Sequence, residues 1–216
     1  TSESSHFILV RLAQALLMAS LAPLAAVLGN QAGMSRKACL MSAVGIGLYP
    51  ILLAYPIGLA SENLYIVLGM VCLILINYSI NKKSWRELIF AGLICGMTLL
   101  TRSIFAAAVL LCGLWISLHH VHRWKAGLLF LLTAFGICLP WSIRNTMVMN
   151  QPSFVESSAG YNMFIGYHPE GDGGFVSKIA IMPMNILDDG DRDRYCLERA
   201  IDFILKNPAE AGSRIW

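Results

Sequence analysis

Residues 88–118 read LIFAGLICGMTLLTRSIFAAAVLLCGLWISL, and their single charge is Arg102, between Thr101 and Ser103. As one helix, these 31 residues would be about 46 Å long. That exceeds the roughly 30 Å of a bilayer's hydrocarbon core. Two short helices joined by a tight turn at 101–103 fit a membrane better. The stretch therefore predicts a membrane hairpin.

The basic residues around this stretch also favour the hairpin. Lys and Arg concentrate in three short segments, 29–37, 81–87 and 119–125. Basic residues in short loops remain preferentially on the cytoplasmic side of a membrane. A hairpin places all three segments on that side, whereas a single long span would separate the last two. We therefore predict that these loops are cytoplasmic and that residues after about 144 are extracytoplasmic.

The composition indicates that lipid is the main solvent of the chain. Hydrophobic residues make up 56% of it, charged residues 13%, and the mean hydropathy is +0.62. Soluble domains carry roughly 25% charged residues. No run of Lys or Arg suggests a nucleic-acid partner. We predict an all-α membrane protein whose residues 1–144 form a polytopic bundle of about six spans: 7–28, 38–60, 63–80, 88–101, 103–118 and 126–143.

Residues 145–216 have a different character. Gly, Asn, Ser and Pro are frequent through 145–190 and predict an extracytoplasmic loop. The apolar spacing in 191–206 predicts an amphipathic surface helix, with Asp191 as a possible cap. Asn207-Pro208 predicts the start of a second helix. We expect this helix to lead through Trp216 to a missing span, and the chain to be a fragment.

Two ionisable residues lie at span ends on the predicted outer side. Glu62 begins a span, where the helix dipole favours a carboxylate; alternatively it lines a polar cavity with Ser61. Arg102, at the hairpin tip, can extend to the interface, or its guanidinium can bind a phosphate or carboxylate. Both interpretations of each residue remain open.

Further candidates follow the sixth span. Arg144 lies between Ile143 and Asn145, close to Trp141; this pattern is typical of an interfacial anchor but could also form an anion site with Arg102. In the loop that starts at Ser157, Tyr161 and Asn162 could bind a sugar or phosphate, or the loop could simply pack on the bundle. The acidic cluster in 188–193 does not fit the calcium-loop pattern, and the histidines in 119–122 have no Cys or acidic partners nearby. We predict no metal or cofactor.

Several short segments together resemble a known family. They are Leu48-Tyr49-Pro50 with Ser61-Glu62, 91–93 through 99–102, Pro140-Trp141-Ser142-Ile143-Arg144-Asn145, Ala159-Gly160-Tyr161-Asn162 with Ile165-Gly166, and 200–208. Their order resembles bacterial members of the dolichyl-phosphate-mannose protein mannosyltransferase and aminoarabinose transferase superfamily. These are integral-membrane glycosyltransferases of the C-type fold. At Ser103 the chain departs from the family, which usually has Pro after Thr-Arg.

The resemblance implies a cell-envelope enzyme of the inner (plasma) membrane. Such an enzyme transfers a hexosyl or pentosyl group from a polyprenyl-phosphate carrier to a glycan, lipid or protein acceptor outside the cytoplasm. Arg102 and Arg144 would bind the phosphate. The residues expected to line the polar cavity or contact substrate from the loop are Glu62, Asn145, Tyr161 and Asn162. In the family the catalytic carboxylate follows the first span, so we expect it before Thr1 and absent from this sequence.

Two other functions remain open. A transporter or flippase would also carry ionisable residues at membrane depth, and it predicts discontinuous helices or a repeat between halves. We find no internal repeat. A non-catalytic assembly subunit of the envelope would instead use residues 145–190 to bind another protein.

Overall fold

The computed structural model describes residues 2–156 and 158–214, and these residues contain helices, turns and no strand. The predicted all-α class is confirmed. Ser157, at the start of the predicted substrate loop, and both chain ends, Thr1 and Trp216, lie outside the described residues. The predicted C-type bundle remains a prediction.

Twelve α-helices occur in the described part of the chain. The chain divides between Cys138 and Leu139 into two compact units. The helices are α1 (Ser2–Ala19), α2 (Leu21–Gln31), α3 (Arg36–Gly47), α4 (Pro50–Ala54), α5 (Glu62–Lys82), α6 (Trp85–Thr101), α7 (Ala106–His119), α8 (Arg123–Met149), α9 (Ala159–Gly166), α10 (Ser177–Ala180), α11 (Asp189–Lys206) and α12 (Pro208–Ser213).

Three helical segments of the described chain are long and apolar enough to cross a membrane: His6–Gln31, Glu62–Lys82 and Arg123–Met149. The paired segments Arg36–Gly47 and Pro50–Ile57 would make a fourth if they form one bent span. The predicted spans 88–101 and 103–118 correspond to shorter apolar helices. These lengths and compositions are compatible with a membrane protein.

A bend of 48° interrupts the region predicted as a single span at 38–60. The cause lies at Tyr49-Pro50. Pro50 has no N–H to donate into the preceding turn, and it forces the residue before it out of the helical region. Tyr49 accordingly has an extended backbone, with ψ 117°. The chain restarts as α4 and a 3-10 turn, Tyr55–Ile57.

The hairpin break lies where the sequence predicted it. Helix α6 ends at Thr101, and Arg102 is extended, with φ −150° and ψ 111°, before the chain turns into α7. The rings of Trp85, which begins α6, and His122, which follows α7, stack with centroids 4.6 Å apart. The chain therefore returns to the end of the unit from which α6 started.

Glycines on α6 allow α8 to approach closely. A Cβ atom at Gly92 would meet the carbonyl of Phe130, and one at Gly96 would overlap the carbonyl of Ala134. Gly92 and Gly96, four residues apart on α6, thus allow the two helix backbones to pack closely. Because both contact sites advance in the same direction along the two helices, α6 and α8 run parallel.

The loops that carry the basic residues consequently lie together. The side-chain amides of Gln31, at the end of α2, and Asn77, near the end of α5, are 3.4 Å apart. This contact places the loop after α2 beside the loop between α5 and α6. Seven basic residues occupy this end of the first unit: Arg36, Lys37, Lys82, Lys83, Arg86, Arg123 and Lys125.

The second unit has its own core, in which α9 packs on α11. Phe164, Ile179 and Cys196 form its centre. Burial raises the pKa of the Cys196 thiol to about 11, although the sequence around it is polar. Residues 145–190, predicted as a loop, thus contribute helices to a packed unit.

The predicted amphipathic helix is α11, but its cap differs from the prediction. Asp188, and not Asp191, is the N-cap: its carboxylate accepts the backbone N–H of Asp191 at 2.9 Å. Helix α11 begins two residues before Asp191, so Asp191 already belongs to the first turn. Helix α12 follows as predicted, with Pro208 at its first position and Asn207 before it.

Candidate functional site

Glu62 and Arg102 form an ion pair at the end of the first unit opposite the basic loops. The Arg102 Nη2 atom lies 2.5 Å from Glu62 Oε1. Glu62 belongs to the first turn of α5, where the dipole favours its charge, and Arg102 follows the last residue of α6. The side chains are 27% and 43% exposed, respectively. Exposed pairs of this kind contribute about 0–1 kcal/mol, so another anion could compete for the guanidinium at little cost.

Asn63, which follows Glu62, fixes the neighbouring turn. Its side chain is almost fully buried, and its Nδ2 donates to the carbonyls of Tyr55 at 3.3 Å and Ala60 at 3.2 Å. Among the described residues, its Oδ1 has no partner. The 3-10 turn Tyr55–Ile57 is thereby attached to the start of α5.

An apolar groove with a volume of about 620 Å³ adjoins that turn. In the described chain its lining is apolar apart from Arg11. The lining residues are Ile8, Arg11, Leu12, Ala15, Met18, Ala19, Ile46, Gly47, Leu52, Leu53, Pro56 and Ile57. An apolar groove with one cation has the chemistry of a site for a lipid with an anionic head group.

Sequence reasoning missed both Arg11 and Asn63. The available signal was an isolated polar residue inside or beside an apolar segment, which is costly in lipid unless it has a partner or a function. Arg11 interrupts the first predicted span, and Asn63 begins the third. Their relevance depends on the position of the bent α3–α4 segment, which the sequence did not predict.

Arg144 and Asn145 lie near the end of α8, in the second unit. The Arg144 guanidinium stands 4.9 Å from the centroid of the Trp141 ring and donates to Asn145 Oδ1 at 3.0 Å. Asn145 is buried, and its Nδ2 donates to the Val155 carbonyl at 3.2 Å, as does the Trp141 indole. Asn145 and Trp141 thus fix the segment around Val155, which follows α8. The exposed Arg144 can still bind an anion.

Tyr161 and Asn162 belong to helix α9, and not to an irregular loop. The Tyr161 hydroxyl donates to the Ala180 carbonyl at 2.8 Å, and its backbone N–H donates to Asp193 Oδ1 at 2.9 Å. The Asn162 amide donates to Glu156 Oε1 at 2.8 Å. These bonds give both side chains structural roles within the second unit.

The structure therefore groups the sequence-predicted residues by unit. Glu62 and Arg102 meet in the first unit, and Arg144 and Asn145 meet in the second. Tyr161 and Asn162 lie on a separate helix of that second unit. Within the described residues, no group of three or more His, Cys, Asp or Glu side chains is arranged to hold a metal ion.

The chain was compared with models of known protein families, with curated protein sequences and with solved structures, and no match was found. The proposed function below rests on the sequence resemblance and on the geometry of the described residues.

Proposed function

We propose that this chain is part of a membrane glycosyltransferase that transfers a sugar from a polyprenyl-phosphate carrier to an extracytoplasmic acceptor. The observation that carries the proposal is the combination, at one end of the first unit, of an apolar groove and two guanidinium groups. A polyprenyl phosphate has the matching parts: a long hydrocarbon chain and a compact anion.

The groove supplies the hydrocarbon part of this site. Its lining from α1, α3, α4 and the 3-10 turn offers about 620 Å³ of apolar volume, within the range of ordinary ligand pockets. Arg11 is the cation of that lining. The bond from Asn63 to the Tyr55 carbonyl fixes the turn that forms one wall.

The Glu62–Arg102 pair supplies the second cation. Guanidinium donors are arranged for bidentate bonding to phosphate oxygens. In the proposed donor complex, the carrier phosphate displaces one carboxylate contact of Arg102, and Glu62 holds the guanidinium in position. Arg144 is a further candidate for binding the phosphate or the acceptor.

The reaction itself is a substitution at the sugar's anomeric carbon. The acceptor oxygen bonds to that carbon, the carbon–oxygen bond to the phosphate breaks, and the polyprenyl phosphate leaves with the electron pair. The arginines stabilise the charge that develops on the leaving phosphate. Residues of this chain bind and orient the donor, and the family resemblance implies that a carboxylate of an outer loop removes the acceptor's proton.

One observation favours a second candidate, a lipid transporter or flippase. The apolar segment of α3 and α4 is broken at Tyr49-Pro50, and broken helices near substrate sites are typical of transporters. A transporter would move the lipid-linked sugar across the bilayer without forming a new glycosidic bond.

The test is transfer of radiolabelled sugar from a panel of polyprenyl-phosphate sugars, in membranes from cells that express the natural gene product. Arg102→Gln and Arg11→Gln should each lower the transfer rate by about tenfold or more, because each removes a charged hydrogen-bond donor to the phosphate. Lys37→Gln, at the opposite end, should leave the rate unchanged. Absence of transfer from every donor would overturn the proposal, and movement of the intact donor across vesicle membranes would establish the transporter.

A further inference from the structure

The second unit contains a cavity of about 590 Å³ that none of the candidate residues lines. It lies between α9, α11 and the segment around α10. Its lining residues are Phe164, Tyr167, His168, Pro169, Met182, Asn185, Ile186, Tyr195, Arg199, Asp202, Phe203, Lys206 and Asn207. Ligand pockets have volumes of about 300–1,000 Å³, and this cavity lies within that range. Its lining combines apolar and polar side chains in similar measure.

A buried arginine fixes one wall of the cavity. The Arg214 side chain is only 7% exposed and forms an ion pair with Glu210 at 2.6 Å. Its Nη1 donates to the His168 carbonyl at 2.8 Å, and the guanidinium lies 4.5 Å from the centroid of the Phe203 ring. The C-terminal end of α9 and helix α12 are thereby joined, and the cavity is preformed.

The cavity carries a cation without a carboxylate partner. Lys206 forms an ion pair with Asp202 at 2.8 Å. Arg199 lies 5.3 Å from the centroid of the Tyr195 ring, and no described carboxylate lies within ion-pair distance of it. Arg199 can therefore direct its donors to an anionic group of a ligand.

The other polar groups are suited to hydroxyls. Asp202 supplies a carboxylate that accepts hydrogen bonds, and the amides of Asn185 and Asn207 can both donate and accept. The aromatic residues are poorly arranged to enclose a planar base. Guanidinium groups already cover one face of Tyr195 and of Phe203. The rings of Phe164 and His168 meet edge to face, at 72°.

We propose that this cavity binds an anionic saccharide, a uronic acid or a sugar phosphate, with Arg199 on its acidic group and Asp202 and Asn185 on its hydroxyls. Binding of the saccharide does not depend on the proposed transferase activity. The further inference that this saccharide is the acceptor of the transferred sugar rests on the proposed function. An acidic acceptor would place its hydroxyls in a cavity that already holds a compensating charge.

The test is saturation-transfer-difference NMR on the full chain in lipid nanodiscs, with no lipid-linked donor present. The direct probes are glucose 1-phosphate, glucuronic acid, glucose and adenosine monophosphate. Inorganic phosphate, which has no carbon-bound proton, is tested by its competition with glucose 1-phosphate. Glucose 1-phosphate and glucuronic acid should receive saturation from the protein and bind with affinities about tenfold or more above that of glucose. Because donor is absent, loss of saccharide binding and loss of sugar transfer are separate results.

Two arginine variants on α11 form a matched pair. Arg199→Gln should weaken binding of the acidic saccharides about tenfold and leave glucose unchanged. Arg194→Gln removes an exposed arginine that bonds Gln151 outside the cavity, and it should change nothing. Circular dichroism of both variants should match that of the parent.

Several results would overturn the assignment. They are absence of binding by both acidic saccharides, an affinity for glucose equal to that for the acidic saccharides, or equal losses of affinity in Arg199→Gln and Arg194→Gln. Inorganic phosphate binding as tightly as glucose 1-phosphate would reduce the cavity to a simple anion site. Tighter binding of adenosine monophosphate would assign it to a nucleotide.

Discussion

His120 is a single residue whose charge is controlled by the fold. It lies in the loop between α7 and α8 and is only 2% exposed. Its Nδ1 accepts the backbone N–H of His122 at 3.1 Å, so the proton of the neutral ring is on Nε2. Burial, followed by the charge of His122, lowers the pKa of His120. The rings of Trp85 and His122 pack around it.

This shift predicts that acid destabilises the chain through His120. The unfolded histidine takes up a proton near pH 6.5, whereas the folded one does so only at lower pH. Between these values the unfolded state binds more protons, so stability falls as the pH falls through about 6.5. In thermal unfolding in detergent between pH 7.5 and pH 5, His120→Gln should lose part of the pH dependence. The exposed His119→Gln should keep it, and identical pH profiles for the two variants would contradict the prediction.

At the scale of elements, the close contact between α6 and α8 sets a steric limit. A methyl group at Gly96 would meet the backbone carbonyl of Ala134, which cannot rotate away. Gly136, on α8, has open space around the position of a Cβ atom. The same substitution therefore has opposite consequences at the two sites.

We predict that Gly96→Ala lowers the stability by about 1–3 kcal/mol through overpacking. Gly136→Ala should leave it unchanged or raise it by up to about 1 kcal/mol, because alanine favours the helix. Thermal unfolding of the detergent-solubilised variants, followed by circular dichroism, measures both changes. Equal effects at the two positions would show that the helices are not in close contact.

The helices and their breaks also show which features of this chain could be predicted from its sequence. The break at Arg102 and the helix after Asn207 were predictable, because charge, apolar run length and Pro-Asn signals are local. The Glu62–Arg102 pair was not, since it joins residues 40 positions apart and depends on how α5 and α6 pack. The proline signal at Pro50 was local too. Because apolar residues flank Pro50 on both sides, the sequence nevertheless predicted a single span there. Tyr161 looked like a loop ligand because the packing of Gly160 on α11 cannot be read from composition.

At the scale of the whole molecule, charge is distributed unevenly over the first unit. Seven basic residues and Glu87 belong to the loops after α2, α5 and α7 or to the adjacent helix ends. The opposite end has Arg11, Glu62 and Arg102. Basic residues in short loops favour the cytoplasmic side of a membrane. From this charge pattern we predict one orientation, in which the groove and the ion pair lie on the outer side of the membrane.

This orientation predicts which residues a membrane-impermeant maleimide can reach in intact cells. Three exposed positions serve as sites for an added cysteine: Gly58 after the Tyr55–Ile57 turn, Asn81 in the last turn of α5, and Leu187 before α11. Gly58→Cys and Leu187→Cys should react in intact cells, and Asn81→Cys only after the membrane is opened. The parent chain measures the background from native cysteines.

Reaction of Asn81→Cys in intact cells would reverse the orientation and place the proposed lipid-phosphate site on the cytoplasmic side. Opposite results at Gly58 and Leu187 would contradict the prediction that residues after about 144 are extracytoplasmic.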